Sequence, residues 1–179
     1  DVALGWMIVT AGLTAVCARF LLPADPAPGP ATGADEKGGL EGLKTLARDP
    51  VFLLAVGSAG LIQSAHAFYY AFSALAWKAQ GLPESLTGLL WGIGVGMEVL
   101  FLWFGASLQK RLGARNLLVI GGAAGVVRWT LLALSPPLGF LIPLQALHAL
   151  TYTAVFLASI QLAARLSGPQ TASAAQLIN

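Results

Sequence analysis

The chain has 179 residues, of which 56% are hydrophobic and only 10% charged, whereas about 25% of an ordinary soluble domain is charged. Its mean hydropathy is +0.74, and a water-soluble chain of this size could not bury so many long apolar runs in one core. We therefore predict an all-α integral membrane protein. The formal net charge of +2 is too small to indicate nucleic-acid binding, and the single cysteine excludes a disulfide framework and a Cys-based metal site.

Five apolar runs are each long enough to cross a bilayer. In chain order they are 2–22, 51–77, 86–108, 116–135 and 138–164. A run of about 20 residues spans ~30 Å as a helix. Because lipid offers no hydrogen-bond partner to the backbone, each run is predicted to be a transmembrane helix.

The connections between these runs differ in character. Segment 24–39 is rich in Pro, Gly and Ala and predicts a solvated linker. Leucines at helical spacing among charged residues in 40–48 predict a short amphipathic helix on the membrane surface. A basic turn is expected at 109–115, Pro136-Pro137 ends the fourth run, and segment 165–169 is predicted to end the fifth.

The basic residues indicate the orientation of the chain in the membrane. Eight of them fall on the side of the linker, the 109–115 turn and the last loop, whereas only Lys78 falls on the opposite side. By the positive-inside rule the linker side is cytoplasmic. The chain starts at Asp1, without a methionine, and its last ten residues resemble the start of another element, so we expect a piece of a longer protein without a signal peptide.

Four ionisable side chains remain inside the predicted spans, one on each of four successive helices: His66, Glu98, Arg128 and His148. Residues on adjacent antiparallel helices lie at equal depth when the midpoint of their numbers falls on the connecting loop. The three midpoints are 82, 113 and 138, each on or beside a predicted turn. The four groups are therefore expected to share one slab near mid-membrane, within about 5 Å given helix tilt.

Glu98 and Arg128 have opposite charge and matched depth, which is enough to predict a buried structural ion pair. Two alternatives stay open. The pair opens and closes during a transport cycle, or Arg128 binds an anionic substrate with both arms of its guanidinium.

The two histidines occur in the same local pattern, Q-x-x-H-A-x-x-Y. It places Gln63, His66 and Tyr70 on one face of the second run, and a matching set on one face of the fifth run. That set is Gln145, His148 and Tyr152. Antiparallel helices that carry similar side chains to one depth are typical of an inverted repeat lining a central site. Taken singly, each histidine is more simply a hydrogen-bonded interior residue, and Gln and Tyr also join helices to one another.

Several of these segments resemble the major facilitator superfamily. The turn at 105–115 is similar to the basic turn that these transporters carry between helices 8 and 9, with Lys110, Arg111, Gly113 and Arg115 as its motif positions. It departs from the family pattern because Lys110 occupies the acidic position. The segments S-A-H-A-F-Y-Y, G-M-E-V, G-V-V-R-W and Q-A-L-H resemble the phenylpropionate-type proton symporters and their nucleoside-symporter-like relatives.

The resemblance implies a bundle of twelve helices in two halves, of which this chain carries five. Residues 1–22 would be the last helix of the N-terminal half, 23–50 the cytoplasmic linker between halves, and 51–179 a partial C-terminal half. It also implies that the second and fifth runs line the central cavity, with both Gln-His-Tyr sets facing it, and that the helix carrying Arg128 is peripheral.

We thus expect a proton-coupled secondary transporter of the bacterial inner membrane, which takes up a small organic substrate such as an aromatic acid. His66 and His148 would bind substrate or carry protons because an ordinary histidine titrates near physiological pH. Glu98 is the second candidate proton carrier.

The expected partners of the protein are the bilayer, the substrate and protons, and the intact protein is expected to be monomeric. An efflux pump of the same fold remains an alternative function. A channel or a membrane enzyme is less favoured, because the polar residues form one slab and no metal or nucleophile pattern occurs, so no cofactor is expected.

Overall fold

The computed structural model describes residues 2–24, 44 and 46–178, with the backbone alone described at 106 and 168–178. The described residues form helices and connecting turns, without a strand. Five of these helical stretches are long and apolar enough to cross a membrane: Val2–Leu21, Pro50–Ala79, Glu84–Gly105, Ser107–Ala133 and Leu138–Ser167. The predicted all-α membrane architecture is confirmed.

The first two spans are simple helices. Helix α1 covers Val2–Val16 and continues into a π-helical turn at Cys17–Leu21. Helix α2 covers Pro50–Ala79 and begins where Asp49 accepts hydrogen bonds from the backbone of Val51 and Phe52, at 2.8 and 3.0 Å. This is an N-cap followed by proline at the first helical position, a favourable helix start. The predicted linker at 24–39 lies outside the described residues apart from residue 24, as does most of the predicted surface helix at 40–48.

The third and fourth spans form one long helical stretch, Glu84–Ala133, with a break at Gly113, whose φ of 75° and ψ of 161° are not helical. We name its two parts α3 (84–112) and α4 (114–133). Glycine adopts this conformation without a steric penalty, which a side chain would incur. A straight helix would separate Glu98 and Arg128 by about 45 Å, yet both contact neighbouring residues of the fifth span. The chain therefore folds back at Gly113, in a shorter turn than the predicted 109–115.

The fifth span is irregular in its middle. Helix α5 covers Leu138–Ala146 and contains Pro143, a π-helical turn follows at Leu150–Ala154, and α6 covers Val155–Ile178. The membrane-length stretch ends at Ser167, inside the segment 165–169 that was predicted to end it, but the helix does not stop there, because α6 continues to Ile178. Proline and glycine weaken a helix without always ending it, and the residues that follow 169 are mostly good helix formers such as Ala, Gln and Leu.

Glycines on α4 bring three helices into close contact. A Cβ built on Gly122 would lie 2.6 Å from the backbone nitrogen of Ala15 and 2.8 Å from the carbonyl oxygen of Ala11, both on α1. A Cβ on Gly121 would overlap Val155 at the start of α6. Small residues at such positions let helix backbones approach closely. This packing places Arg128, two turns further along α4, in the centre of the bundle.

Candidate functional site

A group of polar and aromatic side chains, most of them buried, is contributed by four of the five described spans and lies where these helices pack together. We call it the central cluster. Its members are His66, Tyr69 and Tyr70 of α2, Glu98 of α3, Arg128 and Trp129 of α4, and Gln145, His148, Thr151 and Tyr152 of the fifth span. The structure thus brings together the four ionisable groups that were expected to share one depth.

His148 joins α3 to α2 within this cluster. Its Nε2 atom lies 2.7 Å from Glu98 Oε1 and 3.0 Å from the hydroxyl of Tyr70. A contact of 2.7 Å between a carboxylate oxygen and a ring nitrogen requires a proton between them. The other ring nitrogen of His148, Nδ1, is buried without a hydrogen-bond partner among the described residues. Glu98 and His148 therefore hold a proton jointly, with Tyr70 beside it.

The predicted ion pair between Glu98 and Arg128 is wrong for this conformation. Glu98 faces His148, and Arg128 forms no ion pair with a carboxylate in the part of the chain that the structure describes. Equal depth on adjacent helices does not fix the direction in which a side chain leaves its helix. The two side chains contact different residues of the fifth span, Glu98 meeting His148 and Arg128 meeting Thr151.

Arg128 is fully buried, and its neighbours are neutral. Nη1 donates to Thr151 Oγ1 at 3.2 Å, and Nη2 donates to Gln145 Oε1 at 3.3 Å. The guanidinium carbon lies 4.5 Å from the centre of the Tyr69 ring and 4.4 Å from that of Trp129. Hydrogen bonds and two aromatic faces thus surround the cation in place of an anion.

Thr151 connects His66 to Arg128. His66 Nδ1 lies 2.9 Å from the carbonyl oxygen of Ile62, which can only accept, so Nδ1 carries a proton. His66 Nε2 lies 3.1 Å from Thr151 Oγ1, which is also 3.2 Å from the carbonyl oxygen of His148. The hydroxyl has one proton to donate. It donates to Nε2 when His66 is neutral and to the His148 carbonyl when His66 is charged.

Aromatic contacts bring the two predicted Gln-His-Tyr sets together. The rings of His66 and His148 lie 5.2 Å apart, and Tyr152 stacks on His148 at 5.5 Å with an interplanar angle of 6°. Tyr152 also meets the edge of His66 at 5.2 Å. Both histidines and both tyrosines of the repeated pattern therefore meet at one point.

The two glutamines of the pattern are not equivalent. Gln145 is fully buried and accepts hydrogen bonds from Tyr69 at 2.7 Å and from Arg128. Gln63 Oε1 is buried without a hydrogen-bond partner among the described residues. The two Gln-His-Tyr sets are thus similar in sequence, but their glutamines do not have equivalent contacts in the structure.

The predicted site residues did not include Tyr69, Trp129 and Thr151, although Tyr69 and Trp129 were expected to face either lipid or the cavity. Each adjoins a residue that was included: Tyr69 precedes Tyr70, Trp129 follows Arg128, and Thr151 lies one helical turn after His148. A search one residue or one turn away from each buried charge would have found them.

The basic turn is remote from the central cluster. Lys110 and Arg111 are exposed and Arg115 is half-buried, while Gly113 provides the break between α3 and α4. Gln109 Nε2 ties this end of α3 to α6 through Leu157 O at 3.3 Å and Gln161 Oε1 at 3.0 Å.

Two cavities meet at Tyr69. The smaller, of about 130 Å³, is lined by Tyr69, Tyr70, Gln145 and His148, together with residues of α3. The larger, of about 360 Å³, lies between α1, α2 and the end of α4. Its wall consists mostly of apolar side chains, among them Met7, Phe68, Phe72, Trp77 and Leu132. The described residues contain no group of three His, Cys, Asp or Glu side chains that could hold a metal ion.

Five membrane-length helices around a buried polar cluster define a multi-pass membrane protein. Residues 4–178 match the MFS_1 like family. The chain belongs to this family, within the major facilitator superfamily of transporters, as its sequence motifs suggested.

The chain is also similar to a protein of Escherichia coli (strain K12) described as a probable 3-phenylpropionic acid transporter. The two are 34% identical over 163 residues, which are 91% of this chain and 42% of that relative. The chain thus spans less than half the length of the relative that it matches. No solved structure gives a significant match.

Proposed function

We propose that this chain forms part of a proton-coupled secondary transporter of the bacterial inner membrane, which takes up a small organic substrate by alternating access. An aromatic acid such as 3-phenylpropionate is the first candidate substrate, because a transporter of that acid is the named function of the E. coli relative. The linker side is assigned to the cytoplasm on the basis of the charge asymmetry.

The contact between Glu98 and His148 carries this proposal. A carboxylate inside a membrane span is costly, so such residues are usually paired and functional. Here the Glu98 carboxylate shares a proton with His148, whose side chain is 2% exposed. A second proton on this pair would create a donor at His148 Nδ1, which has no acceptor in the described conformation. A conformation that supplies such an acceptor would be stabilised by protonation. The two conformations would then differ in proton affinity, and that difference would couple proton binding to a conformational change.

Uptake into proteoliposomes tests the proposal. The intact protein should accumulate labelled 3-phenylpropionate when a pH gradient is imposed, and His66→Ala and His148→Ala should reduce uptake to the background of protein-free liposomes. Ser58→Ala is a suitable control because Ser58 Oγ is buried without a hydrogen-bond partner among the described residues. Uptake at the wild-type rate in both histidine variants would contradict the proposal.

The relative direction of substrate and proton movement distinguishes an efflux pump of the same fold from the proposed symporter. If substrate leaves loaded proteoliposomes only when protons enter from the outside, the protein works as an exchanger and the uptake assignment is wrong. Single-channel currents through the intact protein would favour a channel instead.

A further inference from the structure

Arg128 is a buried cation whose hydrogen-bond and ring partners among the described residues are uncharged, namely Thr151, Gln145, Tyr69 and Trp129. It is fully buried inside a span, and the one carboxylate described in the interior, that of Glu98, is engaged by His148. A positive charge at such a position is costly to insert into a membrane and by default has a function. Packing alone does not require it, because an apolar residue would fill the same space without that cost.

The hydrogen-bonding capacity of Arg128 and its neighbour Gln145 is only partly used. A guanidinium has five N–H donors, but Arg128 Nε is buried without an acceptor among the described residues. Gln145 binds Arg128 and Tyr69 through its oxygen, and its Nε2 donor likewise has no partner in the described part of the chain. Two adjacent side chains thus present unused donors, one of them charged. A carboxylate, with two acceptor oxygens and a negative charge, complements this arrangement.

The cavities supply space for the remainder of such a ligand. Gln145 and Tyr69 line the smaller cavity, and Tyr69 alone is shared with the larger one. The aromatic side chains of Phe68, Phe72 and Trp77 suit the larger cavity to a hydrocarbon ring. The Tyr69 ring also lies over the guanidinium at 4.5 Å. Tyr69 therefore lies both against the guanidinium and in the wall that the two cavities share.

We propose that Arg128 and Gln145 form a carboxylate-binding subsite for a monocarboxylic acid, whose apolar part occupies the cavity beyond Tyr69. Tyr69 covers the subsite in the described conformation. This inference rests on the proposed transport function and adds the residues that bind the charge of the acid and the residue that covers them.

Equilibrium binding to the purified intact protein tests the subsite without any gradient. Labelled 3-phenylpropionate is the ligand, and unlabelled acid and its neutral amide, 3-phenylpropanamide, are the competitors. Because a hydrogen bond to a charged group contributes about 1.5–3 kcal/mol, the acid should compete about 10- to 150-fold better than the amide. Equal competition by the amide, or no binding of the acid, would overturn the proposal.

Substitutions of Arg128 test whether the preference for the acid over the amide arises at this residue. Arg128→Gln should lower affinity for the acid by a similar factor while the amide loses little, so that the acid-to-amide ratio approaches one. Arg111→Gln, which removes an exposed arginine of the basic turn, should leave the ratio unchanged. If Arg128→Gln does not fold, Arg128→Lys keeps the charge and should show a reduced ratio, and the wild-type ratio remains decisive. Acid binding without proton-driven uptake would refute the proposed function and leave this subsite standing.

Discussion

The contact between α1 and α4 gives the sharpest prediction about the fold. Replacing Gly122 by alanine would place a Cβ 2.6 Å from the backbone nitrogen of Ala15. Ordinary contact begins at 3.4 Å, so the two helices must separate by about 0.8 Å. Because the contacting atoms belong to backbone, no side-chain rotation relieves the overlap. Overpacking of this kind costs about 1–3 kcal/mol, against a gain in helix propensity of up to about 1 kcal/mol from alanine.

Gly12 offers a matched control at the same interface. A Cβ on Gly12 would lie 3.7 Å from Val126 Cγ2, an ordinary contact, so Gly12→Ala should be neutral or slightly stabilising. Thermal unfolding of the intact protein in detergent should therefore give a lower Tm for Gly122→Ala than for wild type, and no decrease for Gly12→Ala. Equal Tm values for the two variants would refute the close approach of α1 and α4.

Three further predictions concern the connections and the cluster. Gly113→Ala forces an alanine into a φ of 75°, a strain of about 1–3 kcal/mol, and should lower the Tm of the intact protein. Thr151→Val removes the oxygen shared by His66 and Arg128 and should cost about 1–3 kcal/mol for the groups left unpaired, whereas Thr151→Ser should restore most of this loss in the same unfolding assay. Lys78→Ala should change stability by less than about 1 kcal/mol, because its ion pair with Glu84 is exposed, and a large decrease in Tm would show that the loop is packed differently.

Much of the fold could be predicted from the sequence because lipid imposes strong constraints. The number of membrane-length helices follows from the lengths of the apolar runs, and the reversal near Gly113 follows from a basic turn between two such runs. The continuation of the helix beyond the fifth span was harder to predict. Gly168-Pro169 is typical of a helix end, but nothing in the local sequence forces one, and α6 passes through it.

The sequence was enough to predict which residues form the candidate site, but not how their side chains pair. Counting from the turns placed His66, Glu98, Arg128 and His148 in one slab, and they meet there. Their pairing depends on the rotation of each helix about its axis. Hydrophobic periodicity does not determine that rotation to within one side chain, so the partner of Glu98 was predicted wrongly.

The most direct test of the proposed coupling follows protons and substrate in the same experiment. Proteoliposomes containing the intact protein and an internal pH-sensitive dye are given 3-phenylpropionate in the absence of any imposed gradient. The wild type should acidify the interior as substrate enters. Glu98→Gln, which leaves His148 with a neutral partner that cannot release a proton, should exchange labelled for unlabelled substrate without acidification. Substrate entry into wild-type proteoliposomes without movement of protons would contradict the central role assigned to Glu98 and His148.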